Sequence, residues 1–157
     1  MKVLLSLILC LFLFSQSYSQ IITLERTECF GSCPVYKISL FKNGKVIFEG
    51  KKFVAKKGKH EYFVDTAIVN KLINDFLDAK YFSFKSEYYE KVTRTYKDKN
   101  GDTLSDIEMV TDLPTTVTTF RYNDKFHKVR DYYGAPISLS KLENKIDKLL
   151  KSNKYIN

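Results

Sequence analysis

In 157 residues the sequence has no tryptophan, only three prolines, six glycines, three cysteines and two histidines. Each shortage removes a class of reading. So little glycine and proline excludes a collagen-like or low-complexity chain. The two histidines, His60 and His127, fall on separate strand-like stretches with no nucleophile or carboxylate pair beside them. The chain lacks a Gly-x-Ser-x-Gly elbow, a phosphate-cradling glycine loop and a His-Glu-x-x-His helix. These absences argue against an enzyme and call for no cofactor. No Asn-x-Ser/Thr sequon occurs, so N-glycosylation is not expected. Long apolar runs are also missing. The longest, Val3–Phe14, is broken only by Ser6 and falls short of the about 20 residues a bilayer-spanning helix needs.

That short run has a different use. Met1-Lys2 precedes it, and Ser17 and Ser19 stand at the −3 and −1 positions of a cut before Gln20. The pattern predicts a signal peptide over 1–19, no stable membrane span after its removal, and export to the periplasm, the outer-membrane surface or the medium. Residues 20–157 then form a single domain, long enough to bury roughly 65–70% of its unfolded surface. The net charge of +8 is dispersed, apart from a cluster at Lys51, Lys52, Lys56, Lys57 and Lys59. A solvated surface accounts for that cluster; acidic glycans, lipid headgroups or an acidic partner are the functional alternatives. Nucleic acid is not expected as a partner. Cys10 leaves with the leader, and large Leu9 before it speaks against lipidation there. An oxidising compartment therefore receives two cysteines, Cys29 and Cys33.

Taken in order, Ile21–Thr27 alternates as a half-buried strand, and Val35–Phe41 places Tyr36, Ile38 and Leu40 on one face. Asn43-Gly44 between alternating flanks predicts a two-residue hairpin in which Leu40 faces Ile47 and Ile38 faces Glu49. Gly50 closes that strand, and Lys51–Lys56 with His60–Val64 make a second hairpin around Gly58. Asp65 is placed to cap a helix carrying Ile68, Val69, Leu72, Ile73, Phe76 and Leu77 on one stripe. The polar stretch from Glu87 to Asp106 reads as a hairpin or a loop around an Asp98–Asp102 turn. Thr115–Tyr122 and Phe126–Tyr132 are strands joined at Asn123-Asp124. A last helix, begun by Ser138 or by a Ser140…Glu143 capping box, sets Leu139, Leu142, Ile146, Leu149 and Leu150 inward. Hairpin-linked strands interrupted by two helices predict an α+β fold: an antiparallel sheet with both helices on one face, ordered ββββ-α-β(β)ββ-α.

Cys29-Phe30-Gly31-Ser32-Cys33-Pro34 is the one unusual constellation. Three chemistries fit a Cys-x-x-x-Cys pair. Zinc needs two further ligands, and only His60 and His127 remain to supply them. Thiol exchange favours a Cys-x-x-Cys at a helix N-terminus, whereas this pair leads into a strand. A structural disulfide fits best: Gly31 supplies the backbone freedom of a short ring, and loop entropy contributes roughly 2 kcal/mol. Asp98-Lys99-Asn100-Gly101-Asp102 resembles the start of a calcium loop. However, Thr103 stands where that loop needs glycine, and Met109 where it needs glutamate, so a plain turn is expected.

Thr27–Tyr36 around the cysteines, the Asn43-Gly44 turn, Asp112-Leu113-Pro114-Thr115-Thr116 and Asp131-Tyr132-Tyr133-Gly134-Ala135-Pro136 together resemble domain-of-unknown-function family 6438. These are exported bacterial domains, common in Bacteroidota, and the resemblance brings no activity with it. The order of elements is also similar to emfourin, a bacterial metalloprotease inhibitor, at the level of fold alone. Turns stiffened by proline, glycine or a disulfide lose little entropy on docking. The expected function is a non-catalytic, monomeric binding module for a protein or another envelope component. Its expected surface comprises Phe30, Gly31, Pro34, Asp112, Leu113, Pro114, Asp131, Tyr132 and Tyr133, beside a Cys29–Cys33 disulfide. Inhibition of an exported protease is the alternative, with thiol-redox or metal-binding chemistry at the cysteines a further one. Tyr88-Tyr89 and Tyr132-Tyr133 are adjacent pairs on strand patterns, so one member of each is expected to face solvent.

Overall fold

The computed structural model describes residues 19–89, 91–109 and 112–156. The expected leader over 1–19 lies outside the described residues apart from Ser19. Nine strands are described: β1 (Gln20–Arg26), β2 (Val35–Phe41), β3 (Lys45–Lys52), β4 (Gly58–Phe63), β5 (Glu87–Tyr89), β6 (Lys91–Lys97), β7 (Thr103–Met109), β8 (Thr116–Tyr122) and β9 (Lys125–Tyr133). The helices are α1 (Thr66–Asp78), α2 (Ile137–Leu149) and α3 (Asn153–Ile156), with a 3₁₀ turn at Tyr81–Ser83 after α1. Seven strands form one sheet in the order β4-β3-β2-β1-β8-β9-β5, while β6 and β7 form a separate ribbon. Every pairing is antiparallel except the short parallel one between β5 and β9. The fold is α+β. Among the described residues, no helix is long and apolar enough to cross a membrane.

Strand alternation explains which face the helices cover. Ile22 and Leu24, Ile38 and Leu40, Val46 and Phe48, Phe120 and Val129 stand on one face and are buried. Against them pack Val69, Leu72 and Phe76 of α1 and Leu139, Leu142 and Ile146 of α2. Fully burying one such side chain contributes about 1.5–3 kcal/mol, so this layer fixes both helices to the sheet. The other face carries a row of paired positions running Glu87, Arg130, Val117, Glu25, Lys37, Glu49 and Lys59. Alternating charge along that row neutralises itself in water, which keeps the face solvated. Asp65 caps α1 as expected, its Oδ1 accepting from Ala67 N–H at 2.7 Å. Leu77, counted on the buried stripe from the sequence, is instead exposed at the helix end.

Three local expectations are corrected. The first hairpin has a three-residue loop: Gly44 N–H donates to the Phe41 carbonyl at 3.0 Å, and Gly44 has φ +84°. The register therefore pairs Leu40 with Val46 and Ile38 with Phe48, one residue from the expected pairing. Only this register turns Val46 and Phe48 inward and Glu49 outward. Next, Gly50 does not end a strand. It lies inside β3, which pairs directly with β4, and Lys51–Lys56 forms no separate hairpin arm. Third, α2 begins behind Pro136 with no side-chain cap, so Ser138 and Ser140 lie within the helix and Glu143 is buried in its packed face.

Gly50 also shows why the chain turns where it does. The connection after β3 folds back so closely that a Cβ at Gly50 would overlap the Lys56 carbonyl oxygen and press on Val54 Cγ2 at 2.8 Å. Gly50→Ala is therefore expected to destabilise the fold by about 1–3 kcal/mol, as overpacking does elsewhere. Urea unfolding reads this as a lower midpoint with an unchanged slope.

Candidate functional site

The Cys29–Cys33 loop joins β1 to β2 at one end of the sheet. The disulfide is closed, with Cα atoms 5.8 Å apart. Inside the ring Gly31 N–H donates to the Cys29 carbonyl at 2.9 Å, and Gly31 has φ +144°. Phe30 projects from the loop and is 88% exposed.

The same end of the sheet receives the start of β8 and the ends of β9 and β5, because β8 runs antiparallel to β1 and β9 while β5 runs parallel to β9. The strand ends thus bring distant segments together. Thr27 N–H donates to the Thr115 carbonyl at 3.0 Å, and Thr115 N–H returns a bond to Thr27 Oγ1 at 2.9 Å. Phe30 N–H donates to the Asp112 carbonyl at 3.3 Å, and Leu113 N–H donates to the Tyr132 hydroxyl at 3.4 Å. The Tyr132 ring stacks on Tyr89, with centroids 5.3 Å apart. The cysteine loop, the 112–115 segment and the end of β9 are therefore neighbours. Leu113, Tyr89 and Tyr133 are exposed there, while Pro34, Pro114, Asp131 and Tyr132 are half-buried. Tyr88, the other member of its pair, packs against the core.

Beneath the loop lies a polar clamp that local sequence patterns do not reveal. Arg26 ends β1 and stands opposite Tyr36 at the start of β2. Arg26 Nε donates to the Tyr36 hydroxyl at 2.9 Å, and Arg26 NH2 donates to Asp147 Oδ2 of α2 at 2.9 Å. The Tyr36 hydroxyl donates to Asp147 Oδ1 at 2.9 Å, and Ser152 Oγ donates to that oxygen at 2.8 Å. Arg26 NH1 donates to Thr116 Oγ1 and NH2 also donates to Asn144 Oδ1, each at 3.2 Å. Burial and the neighbouring Asp147 carboxylate push the Tyr36 phenol well above its usual range. Both strands leaving the disulfide loop are thus tied to α2 at one carboxylate.

A second buried acid sits nearby. Glu143 is 3% exposed, and Thr118 Oγ1 donates to its Oε1 at 2.9 Å. Burial pushes the Glu143 carboxyl up to about 7; the Thr118 bond opposes the shift, and Asp131 and Asp147 add to it. Desolvation also raises the Asp131 carboxyl, with Arg26 opposing. Glu143 stands on the apolar stripe of α2, which is the one sequence signal that marks it. Among the described residues, no group of three His, Cys, Asp or Glu side chains is arranged to hold a metal ion. His60 Nε2 lies 2.9 Å from the Lys57 carbonyl, and His127 Nε2 lies 2.9 Å from that of Phe84, so each ring is held by backbone.

With this geometry in view, a family described as Domain of unknown function (DUF6438) matches residues 20–150. The chain belongs to this family. The DUF6438 match takes in the whole seven-stranded sheet, the disulfide loop and α2. No curated protein matches the chain.

Proposed function

We propose that this DUF6438 chain is an exported binding module, without catalysis of its own, that docks through the disulfide-tied end of its sheet. A leader ending at Ser19 and a single domain over 20–157 belong to this reading. Phe30 carries it: a large apolar side chain stands in water at the tip of a loop held by a disulfide and by cross-loop hydrogen bonds. Aromatic anchors dominate binding energy at interfaces, and a pre-ordered loop loses little freedom when it docks. Leu113, Tyr133 and the Tyr89–Tyr132 stack extend the apolar surface, with Gly31, Pro34, Asp112, Pro114 and Asp131 as its frame.

Inhibition of an exported protease is the second reading, favoured by the same projecting, covalently closed loop. Affinity capture from the native cell envelope, with wild type against Phe30→Ala, tests both. The expected result is a partner retained by wild type and weakened about tenfold or more by Phe30→Ala. A captured protease inhibited at stoichiometric ratio selects the inhibitor, and a partner without protease activity selects the general module. Equal capture by a folded Phe30→Ala variant refutes this surface as the site of action.

A further inference from the structure

Within the lysine cluster, Lys51 and Lys52 pair with Glu25 and Glu28 beside the disulfide loop, whereas Lys56, Lys57 and Lys59 lie toward the opposite edge of the sheet. β4 is the terminal strand on that side. Val64 N–H donates to the Gly44 carbonyl at 2.9 Å, continuing the ladder in which Val46 pairs with Tyr62 and Phe48 with His60. Antiparallel ladders alternate hydrogen-bonded and non-hydrogen-bonded pairs. The backbone groups of Tyr62 and His60 therefore face β3, whereas those of Lys59, Glu61 and Phe63 face outward. Among the described residues, none of those outward groups has a backbone partner.

The two faces flanking this edge differ in charge: one is balanced and the other is basic. On one face Glu61 is held between Lys45 and Lys59, at 2.7 and 2.9 Å. On the other, Lys154 lies over the Tyr62 and Tyr155 rings at 4.6 and 4.8 Å, and Lys56 lies over Tyr155 at 5.8 Å. Lys57 is exposed beside them. The nearby carboxylates are already engaged: Glu61 by those two lysines, Glu49 opposite Lys59, and Asp65 by the N-terminus of α1. Phe63 is 69% exposed at the strand end.

We propose that the β4 edge is a strand-addition site for an extended acidic polypeptide segment. Its backbone pairs with the outward groups of Lys59, Glu61 and Phe63, and its carboxylates meet the surplus lysines of the basic face, Lys56, Lys57 and Lys154. Strand addition draws affinity from main-chain hydrogen bonds and specificity from alternate side chains. Lysines also protect an edge from self-pairing, because a second copy would set this cluster against its own charge. Charge complementarity thus favours an acidic strand over another copy of the chain.

The probe is a blocked hexapeptide of alternating valine and glutamate, titrated into the full chain while backbone amide exchange is followed by NMR. The expected result is slowed exchange at Lys59, Glu61 and Phe63 with little change at His60 and Tyr62. A peptide alternating proline and glutamate, matched in charge but poor in N–H donors, should bind at least about tenfold more weakly. Glu61→Pro removes an outward N–H at a position where an edge strand tolerates proline, and should abolish the protection. If that variant does not fold, Lys56→Glu/Lys57→Glu, both on exposed positions, should weaken binding about tenfold through charge alone. Equal binding of the proline peptide, or heparin displacing the probe while giving uniform protection, would show an anionic patch and overturn strand addition. Protection that appears with protein concentration alone would overturn it in favour of a second copy.

Discussion

Asp147→Ala is expected to destabilise the fold by about 3 kcal/mol, the largest single loss foreseen in the clamp. The carboxylate accepts from Arg26, Tyr36 and Ser152, and its removal leaves a largely buried guanidinium and phenol without their shared partner. Breaking a buried ion pair from one side costs about 3–5 kcal/mol, and the residual exposure of Arg26 and Asp147 places this site at the lower end. Charge is not itself what the fold requires. The triple replacement Arg26→Met/Tyr36→Phe/Asp147→Leu removes all three polar partners together and should recover most of the loss. Urea unfolding of the two variants checks this. A loss below about 1 kcal/mol for Asp147→Ala would show that the clamp behaves like a surface pair.

The second large effect depends on pH and comes from Glu143. Its carboxyl titrates at about 7 in the folded protein against 4.5 when solvated. The folded state holds this proton more tightly, so the stabilisation is fully present below pH 4.5 and is lost as pH rises through 7. The difference amounts to about 3 kcal/mol by linkage. Glu143→Gln keeps an acceptor for Thr118 but cannot ionise. It should be the more stable protein at pH 8, and the wild-type advantage on acidification between pH 7 and 4.5 should disappear. Asp131 shifts in the same direction in both proteins, so the difference between them isolates Glu143. Parallel stability curves for the two proteins would refute the assignment.

Much of the sheet could be read from local patterns because its causes are local. Alternation in β1 and β2, the Asp65 cap and the stripe on α1 each depend on neighbours a few residues away. The register expected from Asn43-Gly44 differs by one residue from the one found, because that pair suits both a two-residue and a three-residue loop. The apolar parity of β3 held the answer: Val46 and Phe48 are a better core pair than Ile47 and Glu49. Gly50 reads as a strand end by composition, yet its role is set by the close passage of Lys56, which no local rule reports.

The candidate site divides in the same way. Cys29, Cys33 and the conspicuous turns stand out in the chain, and the antiparallel order of β1, β8 and β9 explains how they come to share one end of the sheet. Arg26, Tyr36 and Asp147 do not stand out. Asp147 lies more than a hundred residues from the other two and looks like an ordinary polar residue of an amphipathic helix. Only the packing of α2 across the strand ends gives it a partner. Glu143 was legible in principle, as an acid on an apolar stripe, but there it passed for part of a capping box.

Docking through this end of the sheet requires that the Cys29–Cys33 loop present Phe30 from a rigid frame. Backbone relaxation of the Phe30 and Gly31 amides in the oxidised protein tests it most directly. Order parameters of about 0.85, equal to those of the flanking β1 and β2, are expected. Values below about 0.6 in the intact, disulfide-bonded protein would mean that the loop is mobile despite its crosslink and would contradict the claim.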